Sequence, residues 1–529
     1  MPNSFLLHIH GGKTFEIENN ETVLSALLRA GIALSAPCGG KGICGKCRVK
    51  LIDGDVLIME TGEMVNSGDS FCACKGTALS DMTVQLPEET LANLFDVHTG
   101  KKIKRAGAAI DIGTTTVCAQ LVDLDTGNVQ ETITALNAQR GYGADVMSRI
   151  NAARNGKKQE LYAAIHSQIE NILTQFIQKR ELPDIRECVI SGNTAMLHLF
   201  LNVDPSAMGE VPFKPEFLEE RRIKGGDISL HAKEITLLPG ISAFVGADIV
   251  SGLAFLDITK TRQDCLFVDI GTNGEIALWK ENEKNLYCCS TAAGPCFEGA
   301  EISCGMAALN GAINKVWIVD WDSKTPSAAP PPEMTRSFGP LKFSVIGNIE
   351  PRGICGTGLI DTIAVMKKLA VIDETGALRD EYMRKGFPLT PQITVTQRDI
   401  RQFQLAKSAI FSGINVICKK AGLREPGELQ AVYIAGALGF FINLKNAANA
   451  GLLPQEFTET EKLNDGLSNK KIYNPVTTIC GNTSLQGAVK CLIDPSFLPR
   501  CREITVCSKI VDLASDSGFA DAFADNMFF

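Results

Sequence analysis

The first 86 residues alternate between apolar and polar positions in short runs. FLLHIHG and KTFEIEN, separated by paired glycines, have the period of two β-strands and predict a hairpin. ETVLSALLRAG follows with the spacing of an amphipathic helix that ends at Gly31. CRVKLIDGDV and MTVQL return to the strand period. The pattern therefore predicts a small β-rich domain over residues 1–86.

A different pattern begins near residue 107, where uninterrupted apolar runs end in the tetrapeptide D-I-G-T. AAIDIGTTTVCAQLVDLDTG begins at residue 108 and LFVDIGTNGEIALWK at residue 266, so Asp111 and Asp269 lie 158 residues apart. A repeat of this length predicts two similarly folded α/β lobes that arose by duplication. We predict lobe I over residues 107–262 and lobe II over residues 263–529, with a polar linker at 87–106.

The D-I-G-T phrase has the chemistry of a phosphate-binding turn. Glycine lets the turn close against a phosphate, threonine N–H and hydroxyl groups donate to it, and an aspartate at the strand end can hold Mg²⁺ through water. One copy could be any tight turn, but two copies at domain spacing favour a nucleotide held between two lobes. We predict that Asp111 and Asp269 flank the metal and act in catalysis. The predicted phosphate contacts are Gly113, Thr114, Thr115, Gly271, Thr272 and Asn273.

The repeat resembles the two phosphate motifs of the ATPase superfamily that contains actin, sugar kinases and heat-shock chaperones. The resemblance implies that YIAGALGFFINL (433–444) is the adenosine motif, where the backbone passes close to base and ribose. GICGTGLIDTI (353–363) adds a glycine turn that opens a helix, and we predict a nucleotide or hinge element there. Either glycine cluster alone could be a tight turn. The residues predicted for these contacts are Gly356, Gly358, Gly436, Ala437 and Gly439.

Three polar residues in or near motifs of this superfamily are further candidates for the chemistry of ATP hydrolysis. They are Asn193, Asp248 and Glu275, of which we assign Asn193 and Glu275 to catalysis. Each could equally cap or orient a turn, and the sequence leaves the catalytic base unassigned.

Four cysteines near the N-terminus carry the redox chemistry predicted for the first domain. Cys38, Cys44 and Cys47 have the spacing C-x5-C-x2-C in a glycine-rich stretch, and Cys74, with Cys72 in reserve, supplies a fourth thiolate. Glycine lets the backbone wrap around a cluster while several thiolates converge on iron. Zinc would favour paired C-x2-C knuckles, and disulfides would require an oxidising compartment. We therefore predict a [2Fe–2S] one-electron carrier, in a domain that resembles the plant- and adrenodoxin-type ferredoxins of the β-grasp fold.

Composition narrows the function classes and the cellular setting. The net charge of −8 and the lack of a basic run argue against nucleic acid as a partner. The longest apolar run falls short of a membrane span, and FLLHI is too short for the core of a signal peptide. Eighteen cysteines without a sign of export predict a reducing cytoplasm, with an oxygen-poor cell as the natural setting. Most cysteines outside the cluster set are expected to be buried free thiols.

Further phrases narrow the resemblance to one family. NAQRGYGADVMSRI, ISGNTAMLHLFLNVDPS, LPGISAFVGADIVSG and TAAGPCFEGAEISCGM, with the C-terminal REITVCSKIVDLASDSGFADAFADNMFF, resemble the ATP-dependent reductive activators of corrinoid proteins. The resemblance runs nearly end to end. The predicted fold is therefore a multidomain α+β and α/β protein, with an N-terminal β-grasp ferredoxin domain followed by a two-lobed actin-like ATPase.

The family resemblance implies a function as well as a fold. It implies ATP–Mg²⁺-dependent reduction of a corrinoid protein of a methyltransferase system, from Co(II) to Co(I), by one electron delivered from the [2Fe–2S] cluster. It also implies an external low-potential electron donor, and it leaves open whether the chain forms a homodimer. We predict that the corrinoid partner docks on the ATPase lobes near TAAGPCFEGAEISCGM (291–306), where Phe297 and Glu298 follow a Gly-Pro turn, although a structural turn would explain the same residues.

Two other function classes stay open. The first is a nucleotide-gated electron donor to another low-potential enzyme, of the dehydratase-activator type, although no cysteine pair for a [4Fe–4S] cluster between subunits stands out. The second is a non-redox ATPase interaction module with a ferredoxin tether. A direct flavin or nicotinamide reductase is disfavoured, because no G-x-G-x-x-G follows a predicted strand.

Overall fold

The fold is that of a computed structural model of the 529-residue chain. The structure describes residues 4–10, 14–19, 21–29, 47–59, 61–86, 103–143, 145–308, 310–318, 336–436, 438, 442–458 and 475–529.

The chain divides into two compact units. The first consists mainly of Met1–Lys104, and the second contains Arg105–Leu124, Thr132–Val319 and Arg336–Phe529. The predicted boundary between lobes at residue 262 lies inside the second unit and stays a prediction.

The first unit is built on a mixed sheet with the strand order β2-β1-β8-β3-β6, beside a smaller sheet with the order β5-β4-β7. Its strands are β1 Ser4–Ile9, β2 Thr14–Glu18, β3 Arg48–Asp53, β4 Val56–Ile58, β5 Met64–Val65, β6 Ser70–Cys72, β7 Gly76–Ala78 and β8 Met82–Gln85, and its described helix is α1 Val23–Arg29.

The predicted N-terminal hairpin is confirmed. Strands β1 and β2 pair antiparallel, with Phe5 opposite Ile17, while β1 and β8 pair parallel. Inward-facing side chains such as Leu7, Ile17 and Val84 form one hydrophobic core with Leu27 of the helix α1. The predicted helix end at Gly31 lies outside the described residues.

The strands of the second unit form two six-stranded sheets, a four-stranded sheet and a short hairpin. They are β9 Ala106–Ile112, β10 Thr116–Asp123, β11 Val129–Leu136, β12 Ile185–Gly192, β13 Arg221–Lys224, β14 Ala232–Leu237, β15 Cys265–Ile270, β16 Gly274–Lys280, β17 Asn285–Thr291, β18 Ala312–Ile318, β19 Arg336–Phe338, β20 Leu341–Val345, β21 Gly353–Ile354, β22 Phe387–Pro388, β23 Thr394–Val395, β24 Ala431–Ala435, β25 Val476–Gly481 and β26 Ser508–Ile510.

The two large sheets share one topology. The first has the order β11-β10-β9-β12-β14-β13 and the second β25-β24-β15-β16-β17-β26. In each, the strand that ends in D-I-G-T pairs antiparallel with the next strand and parallel with a strand much later in the chain. The inner order third-second-first-fourth, with a parallel strand beside the fourth, is therefore repeated, which confirms the predicted duplicated lobes.

The described helices of the second unit cover these sheets and connect their strands. They are α2 Val146–Ala152, α3 Lys158–Arg180, α4 Thr194–Phe200, α5 Ala247–Phe255, α6 Gly356–Lys368, α7 Asp380–Met383, α8 Gln397–Lys420, α9 Leu444–Asn449, α10 Thr483–Ile493, α11 Phe497–Cys507 and α12 Ser517–Asp525. No helix within the described ranges is long and apolar enough to cross a membrane.

Small residues let the helices α5 and α10 cross closely. A Cβ atom added at Gly487 would lie 2.2 Å from the Ser251 Oγ, and one at Gly252 would lie 2.5 Å from the Thr483 Oγ1. The Ser251 hydroxyl donates to the Ser484 carbonyl oxygen at 2.8 Å. Because α10 follows a strand of the second sheet and packs on β9 and β12 of the first, it carries side chains of lobe II to the first D-I-G-T turn.

Candidate functional site: two phosphate-type hairpins

The first D-I-G-T turn joins β9 to β10 and has an enforced shape. Asp111 is the next-to-last residue of the buried strand, and a Cβ atom at Gly113 would lie only 2.6 Å from the Thr116 carbonyl oxygen. The Asn137 side chain donates from Nδ2 to the Gly113 carbonyl oxygen at 2.8 Å and holds the turn from outside. The predicted phosphate turn is therefore a fixed loop at a strand end.

A buried arginine supports the same turn. Arg149 of the helix α2 donates from one terminal nitrogen to the Thr114 carbonyl oxygen at 2.5 Å and from Nε to the Gly143 carbonyl oxygen at 3.0 Å. Burial lowers the pKa of Arg149 to about 10, and the negative charge of Glu298 opposes that shift. A guanidinium remains protonated at such a pKa, so the site contains a fixed positive charge.

The second turn joins β15 to β16 and repeats the geometry. Asp269 is the next-to-last residue of its strand, with Glu275 directly opposite on β16, and the Gly271 N–H donates to the Asn273 carbonyl oxygen at 2.9 Å. Gly436 has φ +94, and a Cβ atom there would lie 2.7 Å from the Asp269 Oδ1. The glycine segment after β24 therefore passes against the aspartate of the second hairpin. Two other predicted contacts, Ala437 and Gly439, lie outside the described residues.

Asp111 is held by side chains from the second sheet. The Asn482 Nδ2 donates to its Oδ2 and the Ser484 hydroxyl to its Oδ1, both at 2.8 Å. The Ser484 Oγ also lies 2.9 Å from the Ser191 Oγ at the end of β12. Burial raises the pKa of Asp111, while the hydrogen bonds from Asn482 and Ser484 act in the opposite direction.

Three further acids share this region, and each has a raised pKa. Burial and the charge of Asp111 raise the pKa of Asp248 to about 7, and burial with the charges of Asp248 and Asp111 raises that of Asp269 to about 8. Burial, with both of those aspartates, raises the pKa of Glu275 well above its usual range. Carboxyl groups that repel one another in this way are stabilised by a cation.

Glu298 lies between the two hairpins. The hydroxyl groups of Thr115 in the first turn and Thr272 in the second both donate to its Oε2, the latter at 2.6 Å. Phe297 is 2% exposed and packs edge-on against Phe403, with ring centroids 5.8 Å apart. The burial of the Phe297 ring argues against its expected role of packing on the corrin edge, while docking of the corrinoid partner near residues 291–306 stays a prediction.

Three other predicted residues have visible structural roles. Asn193 caps the helix α4 by accepting a hydrogen bond from the Ala195 N–H at 3.0 Å. A Cβ atom added at Gly356 would lie 2.1 Å from the Phe297 carbonyl oxygen, and one added at Gly358 would lie 2.3 Å from the Ile313 carbonyl oxygen. Both glycines therefore allow the helix α6 to pack closely. Their assignments to catalysis and nucleotide binding stay predictions.

Sequence reasoning missed Arg149, Asn482 and Ser484. A weak signal existed for the last two, since the G-N-T of ISGNTAML recurs in ICGNTSLQ. Arg149 lies between Val146 and Ile150 on the buried face of its helix, where a charged residue is unusual. That position in an otherwise apolar face could have marked it as functional.

In the first unit, two of the predicted cluster ligands are described and lie together. The Cys47 and Cys74 Sγ atoms are 3.3 Å apart, with Cys47 buried. The hydrogen bond with Cys74 lowers the pKa of Cys47 to about 6. In contrast, burial and the negative charge of the nearby Cys47 thiolate raise the pKa of Cys72. Cys38 and Cys44 lie outside the described residues. Converging thiol groups of this kind fit the donor set of an iron–sulfur cluster.

Together these features define a class of protein: a ferredoxin-type iron–sulfur domain joined to a two-lobed ATPase of the actin and sugar-kinase type. Comparison with known families agrees over nearly the whole chain. Residues 7–78 match the 2Fe-2S iron-sulfur cluster binding domain, residues 106–261 the RACo middle region, and residues 263–529 the C-terminal domain of RACo, the ASKHA domain. The chain therefore belongs to the RACo family, the reductive activators of corrinoid proteins.

Relatives along most of the chain are consistent with this membership. The corrinoid activation enzyme RamQ of Eubacterium limosum is 32% identical, over 80% of this chain and 70% of that protein. The [Co(II) methylated amine-specific corrinoid protein] reductase of Methanosarcina barkeri is 28% identical, over 75% of this chain and 72% of that protein. A solved reductive activator for corrinoid, iron-sulfur protein is 27% identical with a TM-score of 0.68, covering 99% of this chain and 98% of that one.

Proposed function

We propose that this protein uses ATP to reduce the cobalt of a corrinoid protein by one electron, from Co(II) to Co(I). The observation that carries the proposal is that one chain combines a converging cysteine pair with two phosphate-type hairpins. The same chain matches a solved reductive activator along nearly its full length. The corrinoid protein is the electron acceptor, and an external low-potential donor must resupply the electron.

The cysteines of the first unit provide the electron source. Cys38, Cys44, Cys47 and Cys74 would hold the [2Fe–2S] cluster, which supplies one electron at a time when bound. The 3.3 Å separation of the Cys47 and Cys74 sulfurs supports Cys74 as the fourth ligand, with Cys72, which also contacts Cys47, in reserve. So many thiols favour a reducing cytoplasm as the site of action.

The hairpins of the second unit would bind the nucleotide. Asp111 and Asp269 would flank Mg²⁺, while Thr114, Thr115 and Thr272 would donate to phosphate oxygens. Among the described residues no three His, Cys, Asp or Glu side chains converge closely enough to hold one ion directly. Mg²⁺ would be held largely through water, because this ion keeps much of its water shell.

Coupling to ATP is energetically reasonable. For one electron, about 59 mV of unfavourable potential corresponds to about 1.4 kcal/mol. A difference on the order of a hundred millivolts between the potentials of cluster and cobalt therefore corresponds to a few kcal/mol. That is comparable to the free energy by which one ligand changes the binding of another. Nucleotide-dependent binding of the corrinoid protein can offset such a gap.

The test is cobalt reduction with the cluster-containing chain. The protein is reduced chemically under anaerobic conditions and mixed with a Co(II) corrinoid protein, and the optical spectrum of cobalt is followed with and without Mg–ATP. We expect Co(I) to form only with Mg–ATP, with one electron lost from the cluster for each cobalt. Equal rates without nucleotide, or ATP consumption with no change at cobalt, would refute the proposal.

A further inference from the structure

Glu298 is held rigidly at the end of a short turn. The 3-10 turn Pro295–Glu298 is buried up to Phe297 and ends at Gly299 with φ +83. A Cβ atom at Gly299 would lie 2.4 Å from the Met306 backbone nitrogen, so the chain is tightly packed there. This packing aims the half-buried carboxylate at the hairpins.

One oxygen of this carboxylate accepts hydrogen bonds from both hairpins. The Thr115 hydroxyl and the Thr272 hydroxyl donate to the same atom, Oε2, although the threonines lie 157 residues apart. The other oxygen lies 3.9 Å from the position of a Cβ atom on Gly271. The carboxylate therefore covers the second turn while it joins that turn to the first.

The charges around Glu298 are those of an anion site. The buried guanidinium of Arg149 interacts favourably with the Glu298 carboxylate and also donates to the Thr114 carbonyl oxygen of the first turn. Two hydroxyl donors and one fixed cation are the groups that recognise a phosphate oxygen as well as a carboxylate oxygen.

We propose that the Glu298 carboxylate is an internal substitute for a nucleotide phosphate. In the nucleotide-free protein it satisfies the Thr115 and Thr272 hydroxyl groups and fastens the two turns to each other. A phosphate of ATP takes over those donors and displaces it. The proposal rests on the proposed nucleotide site and adds that the site contains its own competitor. Glu298 therefore weakens nucleotide binding. It also makes the attachment of one hairpin to the other depend on whether nucleotide is bound.

Two other roles for Glu298 predict different results. A ligand of the nucleotide's metal ion would strengthen binding, so its removal would weaken affinity. A general base would leave binding nearly unchanged and lower only the rate of hydrolysis. An internal competitor alone predicts tighter binding after its charge is removed.

Equilibrium binding decides between these roles. The full chain with its cluster is titrated with a non-hydrolysable Mg–ATP analogue, using wild type, Glu298→Gln, Glu298→Ala and the control Glu301→Gln, an exposed acid three residues away. We expect about tenfold tighter binding for both Glu298 variants, since a charge-assisted competitor is lost, and wild-type affinity for the control. Weaker or unchanged binding in Glu298→Gln would overturn the proposal.

Hydrogen exchange supplies a readout that needs no nucleotide. We expect amides of residues 269–274 to exchange several-fold faster in nucleotide-free Glu298→Ala than in wild type, and the difference to vanish with the analogue. Equal exchange in the nucleotide-free proteins would refute the internal fastening. If wild type and every variant fail to bind nucleotide, the proposed ATP site itself is wrong; if wild type binds and Glu298→Gln binds no better, only the competitor role fails.

Discussion

At the scale of single residues, the two hairpin aspartates occupy matching positions with different neighbours. Asp111 lies opposite Cys118 and accepts hydrogen bonds from Asn482 and Ser484. Asp269 lies opposite Glu275, and burial with neighbouring acids raises its pKa to about 8. The two duplicated turns therefore hold their aspartates among different neighbours, hydrogen-bond donors around Asp111 and a second acid opposite Asp269.

Neutralising either aspartate tests the predicted metal positions. We expect Asp111→Asn and Asp269→Asn each to lower ATP turnover by about 100-fold, as expected when a group that stabilises transition-state charge is lost. The cluster spectrum should stay as in wild type, because its cysteines lie in the other unit. Asp227→Asn, at an exposed position of the same unit, is the control. Normal hydrolysis by both site variants would remove the aspartates from the mechanism.

At the scale of elements, a buried carboxyl group connects three segments of lobe II. Asp361 of the helix α6 accepts from the Asn446 Nδ2 of α9 at 2.7 Å and from the Val316 N–H of β18 at 3.2 Å. Burial raises its pKa to about 7, which the hydrogen bond from Asn446 partly opposes. The packing of these elements is therefore sensitive to pH.

The sign of that sensitivity follows from the raised pKa. The pKa of Asp361 is about 7 in the folded protein and 3.8 in the unfolded chain, so the folded state binds the proton more tightly. This preference stabilises the folded state fully below pH 3.8, and the stabilisation is lost as the pH rises towards 7. Between pH 5 and pH 8 the free energy of unfolding of wild type should fall by on the order of 2 kcal/mol relative to that of Asp361→Asn. Thermal unfolding across this range measures it, with the exposed Asp380→Asn as the control. Parallel pH profiles for wild type and Asp361→Asn would contradict the assignment.

The sequence predicted these elements where the signal was local. The N-terminal hairpin shows a period of two, and the duplicated lobes show a repeated phrase, so both were readable from neighbouring residues. The hydrogen-bond donors to Asp111 are Asn482 and Ser484, which lie 371 and 373 positions later in the chain. Hydrophobic periodicity contains no information about contacts at that separation. The burial of Phe297 could not be predicted, because a residue after a Gly-Pro turn is typical of a surface, whereas Gly356 packs closely on the Phe297 backbone and places the phenyl ring inside.

At the scale of the whole molecule, the predicted cluster ligands and the predicted nucleotide contacts belong to separate compact units. Each unit has its own buried core, and the first packs Cys47 into its core, with Cys74 against it. The chemistry of one unit should therefore be removable without unfolding the other.

Cysteine substitutions test this separation. Cys74→Ala should lose the visible spectrum of the cluster, because three thiolates remain for four coordination positions, and it should keep wild-type ATP binding. Cys72→Ala is the matched control and should keep its spectrum. The opposite pair of spectra would move the fourth ligand to Cys72, and loss of ATP binding in Cys74→Ala would show that the units are not independent.

The shared strand order has a consequence for biosynthesis. Strand β9 receives its parallel neighbour β12 about 70 residues later, whereas β15 must await β24, about 160 residues later. At roughly 5–20 residues per second, the ribosome takes about 8–30 seconds to supply that strand. During this interval CLFVDI is an apolar edge with unpaired backbone groups, the kind of segment from which aggregation starts. The nascent second lobe is therefore the stage at which this chain most needs protection by a chaperone.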